Sequence, residues 1–476
     1  MTAAVDVVVI CAVVLSGVVL GRSVGLRGAL TLPIGTLIGI AGHMAATHIA
    51  VLAGLNSPAL IGFFAISIAG ACRWFRASLN PYWLSVALII GAALRWGAAP
   101  YTYLRHVDSV NYMIISGLLM RNNGDLANEV NSLQLKKRMI GAPTMHAVQT
   151  LTDMPMSVLL GPWVGIMIVV TVGVAIRHVG SSLTAATIAA VLTCLALATS
   201  SRFLMHVTYL NSHLMNAFAV VALMAVVVTL ADNPQQQTML KLAIWSGFTI
   251  LISARPEGFL TAGVIAVAVL LDGRVTGDCR RTIARAFSVV TMGTFTTQLV
   301  VFATRDQFGF DDEIVLPLIA GAIVLLASPL IGLTRPMATV QTTYVVIAAT
   351  VLGVAFLISR DTALIRGMLS AWWGNYVTDG HWGWTVIVGF PASVIAGMLA
   401  WRDPRIRTVT LAVGAFPVIG VVTSILREGP GRVSDADSFN RMTMHIFPLM
   451  LMLIGLALAS ALAYDSTSTE RVRLRS

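Results

Sequence analysis

The sequence predicts an all-α fold, a polytopic transmembrane helical bundle of about 13–15 spans, with interfacial helices in the first long extracytoplasmic loop. Three observations predict it. The 476 residues are 57% hydrophobic and only 11% charged, with a mean hydropathy of +0.84. A water-soluble domain carries about 25% charged residues, because any folded chain in water needs a polar surface. Apolar runs recur along the whole chain, each close to the roughly 17–25 residues that cross a bilayer. Basic residues gather in the short segments between those runs.

The runs fall near 5–20, 28–53, 57–72, 81–99, 154–176, 180–199, 211–231, 240–254, 258–272, 286–303, 314–333, 340–358, 382–400, 408–426 and 444–463. The first lacks a basic leader and is followed directly by further runs, so it reads as a span and not as an ordinary signal peptide. The spans at 240–254 and 258–272 are short and abut at a tight turn. Three regions follow: residues 1–80 as three N-terminal spans, 81–463 as a transmembrane core, and 464–476 as a cytoplasmic tail. The sequence marks no soluble domain, low-complexity tract or internal repeat.

With the N-terminus outside and the C-terminus in the cytoplasm, the inner segments hold 17 of the 31 lysines and arginines. The loop at 273–285 and the turn at 401–407 give the clearest signal. The outer side still holds many cations, beside carboxylates and aromatics. The net charge of +10 is spread among apolar spans, which points to anionic lipid and away from nucleic acid. Cys11, Cys72, Cys194 and Cys279 form no CxxC or CxxH pair, so no zinc site or disulfide framework is indicated.

Three outer loops are long, at 100–153, 359–381 and 427–443, and long loops in compact proteins tend to carry function. The first contains RHVDSVNY followed by the apolar stretch Tyr112–Met120, too short to cross and expected to lie in the interface. Asp108 stands between a span and that helix. It either caps the helix or accepts a proton from a hydroxyl. The turn ARPEGFL places Arg255 and Glu257 close to hydrocarbon, where they either pair with each other or hold a ligand. In the approach to the last span, Asp435, Asp437, Arg441 and His445 follow in order. Arg441 and His445 are four apart and share a helix face, and His445 is either a structural or a catalytic group. The segment 359–384 concentrates Trp372, Trp373, Trp382 and Trp384. Tryptophans there form an interfacial belt or stack on sugar rings.

In their order and common sidedness these segments resemble the GT-C superfamily of integral membrane glycosyltransferases, which use polyprenyl-phosphate sugars. The resemblance covers roughly residues 81–463. The fourth span with RHVDSVNY looks like the family's span and aspartate-bearing outer loop. Residues 141–170 look like the re-entry of that loop, ARPEGFL is similar to an RPEG-type turn, and FNRMTMHIFPLMLMLIGLAL looks like an arginine-bearing entry to a late span. Three spans precede the aspartate here, and Asp108 has no acidic neighbour, the next acid of the loop being Asp125.

The resemblance implies an extracytoplasmic, inverting transfer of a hexose or pentose to a cell-envelope glycan, lipid or protein. It implies Asp108 as general base, and Arg255 and Arg441 as holders of the donor phosphate. Arg202 and the Lys136–Arg138 cluster stand behind these, and His106, Glu257, Asp437, Trp372 and Trp373 are expected substrate contacts. No cofactor is certain. A divalent cation enters only if the fold unites His106, Asp108 and Glu257. A lipid-linked oligosaccharide polymerase or ligase, and a transporter or flippase of lipid-linked substrates, are the rival readings.

Overall fold

The computed structural model describes residues 2–52, 160–180, 183–208, 212–255, 257–303, 312–333, 362–374, 384–420 and 438–473, with single positions between 348 and 382. Among them every regular element is helical. The helices are α1 (Thr2–Ser23), α2 (Thr31–Leu52), α3 (Leu160–Val179), α4 (Leu183–Thr199), α5 (Ser201–Thr208), α6 (His213–Leu230), α7 (Gln237–Ala254) and α8 (Gly258–Leu270). They continue as α9 (Gly277–Ala303), α10 (Asp312–Leu333), α11 (Thr362–Trp373), α12 (Trp384–Ile387), α13 (Gly389–Leu399), α14 (Pro404–Gly414) and α15 (Ser438–Arg473). The protein is an all-α polytopic helical bundle. In hydrocarbon no water satisfies exposed amides, so long apolar runs close their hydrogen bonds within themselves as helices.

Four segments among the described residues are long and apolar enough to cross a membrane: Gly28–Ala46, Leu160–Val179, His213–Leu230 and Met442–Leu462. A fifth arises if Leu183–Thr199 and Ser201–Val207, bent by 67° at Ser200, count as one broken span. The spans expected at 57–72 and 81–99, and the interfacial stretch Tyr112–Met120, lie outside the described residues.

Helix α6 is the central post. Its sequence is apolar all round, the pattern of a helix enclosed on every side, and 89% of its span is buried. It packs against α3, α7 and α15, and α15 in turn packs against α4 and α13. Helices α4, α10 and α13 turn large apolar side chains outward, among them Leu195, Leu326 and Leu399, a surface suited to lipid. The α1–α2 hairpin joins the bundle through α2, which packs on α7 and whose Thr36 hydroxyl accepts a hydrogen bond from Trp163 Nε1 at 3.1 Å. Glycines bring α1 and α2 together. A Cβ on Gly17 would fall 1.9 Å from the Gly35 carbonyl oxygen, and one on Gly39 2.0 Å from that of Val13. Small residues permit such approach between membrane helices.

Several boundaries differ from the expected ones for identifiable reasons. Helix α14 starts at Pro404, four residues before 408. The Asp403 carboxylate accepts the Arg405 N–H at 2.8 Å, and proline fits the first helical position. A similar start, with the Asn233 side chain accepting the Gln235 N–H, opens the 3-10 turn Pro234–Gln236 that leads into α7 at Gln237. The expected span at 382–400 divides into α12 and α13. Helix α15 runs past 463 to Arg473, because no glycine or proline interrupts the chain there. Helix α5 was not foreseen.

Candidate functional site

The charged and imidazole side chains around α6 lie at its two ends, about 27 Å apart along its 18 residues. One end is built from the α7–α8 turn, α5, and the N-terminal turns of α6 and α15. Helix α7 stops at Ala254, and Arg255 adopts extended backbone at φ −156°, ψ 150°. Its carbonyl then accepts the Gly258 N–H at 3.0 Å. A Cβ on Gly258 would lie 1.7 Å from the Leu251 carbonyl oxygen and 3.4 Å from Asn216 Nδ2, so only glycine fits this closure.

The turn sets Arg255 and Glu257 side by side. Arg255 Nε lies 2.5 Å from Glu257 Oε1, with side chains 11% and 1% exposed. Charges so deep in a protein persist only with a close opposite partner. The ion-pair reading of ARPEGFL is therefore realised in the structure.

At the same end lies a group of histidines. His213 Nδ1 lies 2.8 Å from His445 Nε2, with ring centroids 5.0 Å apart. His206 on α5 meets His213 edge-on at 6.0 Å. All three are buried. Asn216, one turn along α6 from His213, is completely buried. Among the described residues neither its amide oxygen nor its amide nitrogen has a hydrogen-bond partner, nor has His445 Nδ1. Each such orphaned buried atom costs about 1–3 kcal/mol. Beside His445, the Tyr376 and Thr443 hydroxyls are 2.7 Å apart, and Trp382 packs on Phe447 with centroids 5.0 Å apart.

The opposite end is chemically different, for several of its charges form ion pairs. Asp272, buried, holds Arg274 through Nη2 at 2.5 Å and receives the Thr408 hydroxyl at 2.8 Å. Arg274 also reaches Asp232 at 3.4 Å. Burial works against the Arg274 charge, but Asp272 and Asp232 outweigh it and hold the guanidinium above its ordinary value. Asp278 pairs with Lys241 and with Arg281 at 3.2 Å, and the Lys241 ammonium holds its carboxyl below the usual range. Burial pushes the neighbouring Cys279 thiol up to about 12.

Of the residues singled out in the sequence, His106, Asp108, Asp125, Lys136–Arg138, Asp435 and Asp437 lie outside the described residues. Arg255 and Glu257 come together. Arg441 occupies the first turn of α15, four positions before His445. Arg202 is half-buried on α5, its Nη1 3.5 Å from Met205 Sδ. Trp372 is half-buried at the end of α11, whereas Trp373 is 59% exposed. The buried aromatics of this end are instead Tyr376 and Trp382. His206, His213 and Asn216 are the polar residues that the sequence reading passed over. Their signal was present, as HVTYLNSHLMN puts a cluster of polar side chains, these three among them, at the mouth of an apolar run. Among the described residues no three histidine, cysteine or acidic side chains are placed to hold a metal ion.

No protein-family model matches the chain, and no curated protein matches it. Among solved structures it is similar to the oligosaccharyltransferase of Archaeoglobus fulgidus, crystallised with zinc and sulfate. The TM-score is 0.43 with 14% identity, over 81% of this chain and 49% of that one. The chain thus spans about half the length of that protein.

Proposed function

We infer that the protein is a membrane glycosyltransferase that moves a sugar from a polyprenyl-phosphate donor to a cell-envelope glycan, lipid or protein. The observation that carries this reading is the meeting of two segments that the sequence resemblance marks as phosphate-holding. The Arg255–Glu257 turn closes on Gly258 beside Asn216, one turn along α6 from the His213 that meets His445, and Arg441 precedes His445 by four positions in α15. Arg202, on the adjoining α5, adds a third cation at this end.

In the reaction the acceptor hydroxyl oxygen forms a bond to the anomeric carbon while the bond from that carbon to the phosphate oxygen breaks. Asp108 takes the hydroxyl proton. The electron pair leaves with the phosphate, and Arg255 and Arg441 stabilise its growing charge. The configuration at the anomeric carbon inverts. The site faces the extracytoplasmic side, where the outer loops lie if the basic loops are inside.

One observation favours the transporter as a second reading, namely the 67° break between α4 and α5. Broken helices of this kind line substrate sites in transporters. Reconstitution of the protein in liposomes with a labelled polyprenyl-phosphate sugar separates the two. Transfer of label to an acceptor, lost in Asp108→Asn with folding retained, is the expected result. Movement of label without covalent change, or full transfer by the Asp108→Asn variant, refutes it.

A further inference from the structure

The Arg255 end of the bundle holds orphaned atoms of both hydrogen-bonding senses. Asn216 carries an unpartnered acceptor and an unpartnered donor, so the assignment of oxygen and nitrogen within the amide does not alter the argument. His445 adds its Nδ1. Its other ring nitrogen is engaged by His213 at 2.8 Å, so His213 fixes both the orientation of the ring and the proton role left to Nδ1. Both residues belong to one neighbourhood. Asn216 lies beside Gly258, as the 3.4 Å approach to a Cβ built there shows, and His445 meets His213, one turn before Asn216 on α6.

These senses select a ligand. A phosphate oxygen only accepts hydrogen bonds and would leave the Asn216 oxygen without a donor. A metal ion or an ammonium only attracts acceptors and would leave the amide N–H₂ unsatisfied. An alkyl chain would answer neither. A hydroxyl both donates and accepts, and neighbouring hydroxyls on one ring can meet an amide and an imidazole together. The geometry points to Asn216 and His445 as a subsite for the sugar hydroxyls of the donor, next to an Arg255 position that takes its phosphate. This rests on the glycosyl-transfer reading above. Both side chains are fully covered in the structure, so the hydroxyls enter by displacing the groups packed over them.

The test uses the full-length protein in lipid nanodiscs, with two kinds of probe: a polyprenyl phosphate, and the same lipid phosphate bearing a hexose or a pentose. The wild-type protein should bind at least one sugar-bearing lipid about tenfold or more tightly than the bare phosphate. Asn216→Leu should abolish that preference and leave binding of the bare lipid unchanged. It should also keep or raise the melting temperature, because an apolar side chain of the same size replaces an orphaned amide. His445→Gln should weaken the preference in the same direction. A preference that survives Asn216→Leu overturns the subsite. So does a fall in melting temperature in that variant, since an amide bonded to a fixed water would be missed. Equal binding of sugar-bearing and bare lipid by the wild type overturns the subsite while leaving phosphate recognition standing. Binding of neither lipid refutes the transfer reading and the subsite together.

Discussion

His213 Nδ1 and His445 Nε2 lie 2.8 Å apart although 232 residues separate them in the chain. The contact ties the first turn of α6 to the early turns of α15. One ring must donate and the other accept, so neither can change its proton inventory without disturbing the other. His213→Ala and His445→Ala should each lower stability, and the double variant should cost less than the sum. A coupling of about 0.5–3 kcal/mol is expected for residues in direct contact. Additive effects in denaturant unfolding would mean that the two rings do not interact.

Arg255 and Glu257 form a buried pair, and removing one partner strands the other charge. Arg255→Ala or Glu257→Ala should each destabilise the protein by about 3–5 kcal/mol. Arg255→Met combined with Glu257→Leu should recover most of the loss, as both charges then leave together. Donor binding should fail in Arg255→Met/Glu257→Leu even where folding is restored. Thermal unfolding together with lipid binding separates these outcomes.

Gly258 and Gly293 make a matched comparison. A Cβ at Gly258 would sit 1.7 Å from the Leu251 carbonyl oxygen, whereas nothing among the described residues lies within 4 Å of one at Gly293. Gly258→Ala should lower the melting temperature strongly and distort the Arg255 turn. Gly293→Ala, in the interior of α9, should stabilise by roughly 0.5–1 kcal/mol. Equal effects at the two positions would show that the α7–α8 closure is not tight.

The Gly17–Gly35–Gly39 contact predicts that Gly39→Leu will separate α1 from α2, since even a methyl would strike the Val13 carbonyl. A cysteine pair placed across the two helices, efficient at disulfide formation in the parent, should cross-link poorly in that variant. Unchanged cross-linking would contradict the close packing.

Cys279 lies in the first turns of α9, outside its apolar part, with its thiol pushed up to about 12 by burial. An unfolded cysteine titrates near 8.5. The neutral thiol therefore favours the folded state fully below about pH 8.5. That contribution is lost as the pH rises towards 12, because the unfolded chain then releases a proton that the folded one keeps. Between pH 8 and pH 10 the wild type should lose about 1–2 kcal/mol more stability than Cys279→Ala. Alkylation of the thiol at pH 8 should be slow until the protein is unfolded.

The legible part of the site was the part written in local sequence. The Arg255–Pro256–Glu257–Gly258 turn interrupts two apolar runs and was visible as a charged pair at a sharp bend. Arg441 and His445 were visible as neighbours on one helix face. Asn216 and His213 were harder to value, because a single polar residue at the head of a span is compatible with solvent, with a cap or with a buried network. The tryptophan cluster was found as a cluster, but its buried member Trp382 and the exposed Trp373 look alike in sequence.

The sequence by itself determined that this is an all-helical, many-span membrane protein with polar groups at the ends of its spans. Lipid forces that outcome, since it leaves apolar runs no route to satisfied backbones except helices. It did not determine which helices meet. An apolar helix in an apolar bundle has no distinct face, so nothing in the pattern of α6 tells which side will receive α15. Only the tertiary structure decided that His213 would find His445, and that Asn216 would be enclosed beside Gly258 with its amide unsatisfied.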